Sequence, residues 1–114
     1  MGLFGKKKNG YDEASRNLSG EKLARERILM DQITDDDQKA AEYVQKLKSG
    51  TPLVLNFDNL EPMAANKLLA FFAGASYALD GRNVKINEKT YLFALKTSFL
   101  DGSLQQFLDE LPRG

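Results

Sequence analysis

A chain of 114 residues has room for one domain with a single core, not for two ordinary ones. Its 16 basic and 16 acidic side chains cancel, but the first ten residues hold three lysines and no acid. The remainder is mildly acidic, which argues against the basic face of a nucleic-acid domain. With no cysteine and no histidine, disulfides, thiolate chemistry, the usual zinc ligand and every Ser-His triad are excluded.

Residues 1–25 carry glycines at 2, 5, 10 and 20 with mixed charges and few large apolar side chains, the composition of a tail that orders only on contact. The opening MGLFGKKKNG sets Met1, Leu3 and Phe4 beside Lys6, Lys7 and Lys8. Near an anionic leaflet each lysine contributes on the order of 1 kcal/mol, and full burial of Leu3 or Phe4 roughly 1.5–3 kcal/mol. Ordering costs about 1–2 kcal/mol per residue, and the glycines raise that cost. Against such a leaflet one copy would bind weakly, and several copies firmly through effective concentration. The start lacks the apolar core of a signal peptide. No apolar run approaches the roughly 20 residues of a membrane span. The expected location is the cytoplasm.

Organised pattern begins near Arg27. Ile28, Leu29, Met30 and Ile33 predict a first strand. Thr34 opens a helix whose first turn holds Asp35, Asp36 and Asp37, where negative charge satisfies free N–H groups rather than a metal. Ala40, Ala41, Val44 and Leu47 recur at helical spacing beside Tyr43, and Gly50 ends the run. Leu53–Phe57 predicts a second strand. Asp58 or Asn59 caps a helix over about 62–79 that is apolar almost all round and needs cover on more than one side. Asp80-Gly81 marks a turn, followed by a hairpin of strands at 82–86 and 89–95.

The strands at Leu53–Phe57 and Tyr91–Leu95 are apolar on both faces, and one layer of two helices covers only one. The other face needs either the stripe Leu104, Phe107, Leu108 and Leu111, opened by Ser103 with Gln106 as a capping box, or a second copy. The expected fold is α/β: a compact two-layer sandwich of order βαβαββ with a C-terminal helix over residues 26–114, acting as a homodimer. No Gly-rich phosphate loop follows a strand, and no cofactor is expected.

Pro52-Leu-Val-Leu-Asn56, Leu68-Leu-Ala-Phe-Phe-Ala-Gly-Ala-Ser-Tyr-Ala-Leu-Asp-Gly81 and Tyr91-Leu-Phe93 together resemble the core of the SepF cell-division proteins. The resemblance runs over roughly residues 28–111 and includes the turn Asp101-Gly102-Ser103. It implies a non-enzymatic dimer or polymer that binds the C-terminal peptide of FtsZ and tethers it to the inner face of the cytoplasmic membrane. By position, Lys85 and Tyr91 match a basic residue and an aromatic near the family's peptide site, and Phe93 joins them. Gly74 matches a glycine associated with higher assembly, so the expected self-association surface comprises Gly74, Ala75 and Phe72. The membrane segment corresponds to Met1, Leu3, Phe4, Lys6, Lys7 and Lys8. One alternative is a small-molecule-binding regulatory domain of βαβ type. The other, nucleic-acid binding through the lysine tip, rests on three charges of modest salt-sensitive affinity.

Overall fold

A computed structural model describes residues 22–112; the expected membrane segment lies outside them. After a 3-10 turn at Ala24–Arg27, the elements are β1 (Leu29–Gln32), α1 (Asp37–Lys48), β2 (Leu53–Asn56), α2 (Pro62–Ala78), β3 (Gly81–Asn87), β4 (Thr90–Leu95), a second 3-10 turn (Lys96–Phe99) and α3 (Ser103–Glu110). The sheet order is β1-β2-β4-β3. β1 and β2 are parallel, with Leu29 opposite Leu53, as a helical crossover between them requires. β4 lies antiparallel to both β2 and β3, filling the place between them. The expected α/β sandwich is what forms.

Both strand faces are buried, each by a different part of the chain. Leu53, Leu55, Phe57 and Phe93 pack with Tyr43 and Leu47 of α1 and Leu68 and Phe72 of α2. On the underside, Val54, Leu92 and Ala94 pack with Ala24, Leu104 and Leu108. The C-terminal stripe, not a second copy, covers that face. The domain therefore begins slightly earlier than residue 26, because Ala24 is 1% exposed within this second core.

Three helix starts differ from expectation. The α1 cap is Asp36, whose carboxylate accepts the Lys39 N–H at 3.0 Å. Thr34 lies two residues earlier, where its carbonyl accepts the Asp36 N–H at 2.9 Å. Asp35 and Asp37 reach Lys67 of α2 instead, at 2.7 and 3.3 Å. α2 begins after Glu61 with no side-chain cap; Pro62 sets the helical φ and drives the preceding residue extended. Neither Asp58 nor Asn59 caps it, since the Asp58 N–H closes a turn onto the Asn56 side chain at 2.9 Å. At α3 the capping box fails: Gly102 occupies the cap position at φ 81°, and the Ser103 hydroxyl donates to Asp101 at 2.7 Å.

Asp31 sits beside Leu29's face of the edge strand β1, and the Tyr43 hydroxyl of α1 donates to its carboxylate. Burial first, then the hydrogen bond and charge of Asp31 and the charge of Glu42, push the Tyr43 phenol from 10.0 to about 12. A pKa raised by folding stabilises the native state while the phenol stays protonated in both states. The stability of the native chain relative to Tyr43→Phe is therefore constant below pH 10.0 and declines as the pH rises through about 12. Urea unfolding of both proteins across that window measures it. A difference that stays flat refutes the assignment.

Candidate functional site

Where β2 and β4 end, Asn56 and Thr90 stand opposite one another, and the Asn56 side-chain N–H donates to the Thr90 hydroxyl at 2.9 Å. The chain then turns: Leu60 N–H donates to the Phe57 carbonyl at 3.2 Å, and Phe57 N–H to the Lys89 carbonyl at 2.7 Å. These bonds hold the β2–α2 loop against the hairpin turn and open a groove under the first turns of α2. Phe57, Leu60, Ala65, Leu69 and Tyr91 make its apolar surface, with Pro62, Asn66, Glu88 and Lys89 also lining it; its volume is about 190 Å³.

Tyr91 is the aromatic centre of this groove. Its ring meets Phe57 edge-on at 5.7 Å and stacks on Phe93 at 6.3 Å. Phe57 and Phe93 are themselves held by Phe72, at 6.3 and 5.6 Å. Packed rings of this kind keep an aromatic surface in place for a ligand to meet, so little ordering remains for binding to do.

Of the three residues expected at a peptide site, one, Tyr91, lines this groove. Lys85 pairs with Tyr91 in the sheet register and lies exposed on the edge strand, 3.7 Å from Glu88. Phe93 is 0% exposed, a correction: it supports the Tyr91 ring from the core and does not line the groove. The sequence reading missed Phe57, Leu60 and Leu69, whose apolar pattern is the same as that of core, and Lys89, which looks like any hairpin-turn lysine.

The expected self-association residues also divide. Gly74 lies on the outer face of α2, where an added Cβ would meet nothing within 4 Å. Ala75 is half-buried. Phe72 is 0% exposed and lies on the opposite side of the helix from Gly74, so it belongs to the core and not to a surface. The outer face carries Met63, Phe71 and Tyr77, exposed at 85%, 43% and 86%. Phe71 also borders a second, larger hollow of about 320 Å³ against α1, edged by Asp37 and Lys67. The ammonium at its edge is already paired, because Asp35 and Asp37 both bind Lys67 and hold its pKa above the usual range. Among the described residues, no cluster of three metal-ligating side chains occurs and no helix is long and apolar enough to cross a membrane.

The fold and groove define a small α/β domain with an aromatic-centred groove at one end of its sheet. The model of the family "Cell division protein SepF" matches residues 32–97, from the last residue of β1 to the 3-10 turn after β4. The chain belongs to the SepF family of cell-division proteins. It is 30% identical over 93 residues to the cell division protein SepF of Carboxydothermus hydrogenoformans, covering 82% of this chain and 66% of that protein. To the SepF of Natranaerobius thermophilus it is 36% identical over 73 residues, covering 64% and 44%. To that of Alkaliphilus oremlandii it is 32% identical over 71 residues, covering 62% and 49%. The chain thus spans between about half and two-thirds of the length of these relatives.

Proposed function

We propose that this protein is a non-enzymatic division adaptor that binds the C-terminal peptide of FtsZ in the Tyr91 groove. Residues 1–10 then hold it on the cytoplasmic face of the membrane, and it acts as a dimer or polymer. The observation that carries the reading is the groove: a packed aromatic centre, apolar walls and an edge formed by Glu88 and Lys89, in a chain of the SepF family. A short peptide with apolar anchors and acidic flanks suits such a surface. The chain has no histidine or cysteine to act as general base or thiol nucleophile.

Self-association is supported by the outer face of α2. Met63, Phe71 and Tyr77 share one side of the helix with Ala70 and Gly74 at helical spacing. An apolar stripe with a glycine at its middle lets a second helix come close.

Titration of an FtsZ C-terminal peptide by fluorescence anisotropy tests the groove. Tyr91→Ala is expected to weaken binding at least about tenfold, a loss of roughly 1.4 kcal/mol or more. Lys89→Glu is expected to weaken it severalfold, with less loss at high salt. Undiminished affinity in Tyr91→Ala refutes the groove as the site. In the same samples, deletion of residues 1–10 removes retention on anionic vesicles and leaves peptide affinity unchanged.

A further inference from the structure

The chain enters the described domain on the underside of the sheet, and its entry is tied down by side chains almost eighty positions away. The Ala24 N–H donates to Asp101 Oδ2 at 2.9 Å, and the Arg25 N–H to Ser103 Oγ at 2.9 Å. Asp101 Oδ1 in turn accepts from the Ser103 N–H at 2.8 Å and the Ser103 hydroxyl at 2.7 Å. The Ser103 hydroxyl thus donates to the carboxylate while accepting from the incoming backbone. Arg25 adds an ion pair with Glu110 at 2.9 Å and lies 5.9 Å above the Phe107 ring. Arg27 donates to the Gly50 carbonyl at 2.7 Å.

This segment is not a strand, so no sheet ladder holds it. Two successive backbone donors depend on one carboxylate and one hydroxyl, and losing those acceptors strands both donors beside a core into which Ala24 is already sunk. Asp101 is suited to the role. Burial pushes its carboxyl up, but the N–H groups of Ser103 and Ala24, the Ser103 hydroxyl and the charge of Arg27 together hold it below its ordinary value.

The clasp and the groove lie on opposite faces of the sheet. Ala24 packs with Val54, Leu92 and Ala94, whereas Phe57 and Tyr91 belong to the helix-side core. We propose that the Asp101–Ser103 turn is a mechanical clasp. It delivers tension on the amino-terminal segment to the underside of the sheet and keeps that tension from the groove. The tension itself rests on the anchoring reading above; the clasp does not.

Hydrogen exchange on the full chain tests the clasp first. In the native protein, the Ala24 and Arg25 amides are expected to exchange at least about 100-fold slower than in an open chain, a degree of protection that local unfolding would abolish. In Asp101→Asn a donating NH2 replaces one of the two carboxylate oxygens that separately serve Ala24 and Ser103, and the Ala24 and Arg25 amides are expected to speed up at least about tenfold. In Ser103→Ala the Arg25 amide is released more than the Ala24 amide. Leu55 and Phe93 amides in the central strands stay within about twofold in both variants. Unprotected Ala24 and Arg25 amides in the native protein overturn the clasp, and so does release together with Leu55 and Phe93.

The mechanical role is read by flow detachment of FtsZ-peptide beads from anionic vesicles bearing the full chain. Asp101→Asn is expected to shorten bead lifetime severalfold while peptide affinity in solution stays within about twofold. An unchanged lifetime overturns the mechanical role. A native chain that holds neither beads nor vesicles overturns the anchoring reading, and the exchange pattern then judges the clasp alone.

Discussion

Phe72→Ala is expected to lower the unfolding free energy by about 3–5 kcal/mol, the range for deleting a buried phenylalanine. The side chain is 0% exposed and stands where three parts of the fold meet. It contacts Tyr43 of α1 at 6.3 Å, Phe57 of the β2–α2 loop at 6.3 Å and Phe93 of β4 at 5.6 Å. Rings on three separate elements cannot all move inward to fill the space, so most of the cavity cost remains. Domains of this size hold only about 5–15 kcal/mol in total, so urea unfolding should show a large shift in midpoint. Gly74→Ala, two positions along the same helix, is the control: its new Cβ meets nothing within 4 Å, and alanine is the better helix former by about 1 kcal/mol. A Phe72→Ala cost below about 1 kcal/mol would contradict the assignment of this residue to the core.

Gly81→Ala is expected to destabilise the domain by about 1–3 kcal/mol, the usual cost of overpacking. Its Cβ would lie 2.6 Å from Ser76 Oγ and 2.9 Å from the Ala94 carbonyl oxygen. Ser76 is 0% exposed, and its hydroxyl has no hydrogen-bond partner, so α2 and the start of β3 touch almost backbone to backbone. Ser76→Ala in the Gly81→Ala background removes the nearer clash and leaves the one with the carbonyl. Partial recovery is therefore the expected result, seen as a coupling in a double-mutant cycle of urea midpoints. Additive effects would mean that the close approach does not constrain the helix.

These two residues show where the sequence is legible. Gly81 follows a turn signal and ends one of the segments that carry the family resemblance, but no pattern states that it faces Ser76. Phe72 and Gly74 lie two apart in a helix whose residues are apolar almost all round, and hydropathy alone assigns them the same environment. Orientation about the helix axis separates them: one turns to Phe93, the other to solvent. The same limit explains Phe93, whose alternation with Leu92 marks a strand buried on both faces without saying which face is open at its end. Helix starts are ambiguous in the sequence where several candidates for the cap stand in a row. Between Thr34 and Asp36, or Asn59 and Glu61, the deciding factors are a turn one residue earlier and the φ of a proline.

Element order, the α/β class, the basic tip and the absence of histidine and cysteine are properties of composition and local periodicity, and short-range physics is enough to settle them. The groove, the packing of α1 on α2 and the clasp join residues from distant positions: Phe57 with Tyr91, Tyr43 with Phe72, Ala24 with Asp101. Which of two apolar faces is covered, and by what, depends on where α3 returns. That is a matter of packing between distant segments, on which local pattern is silent.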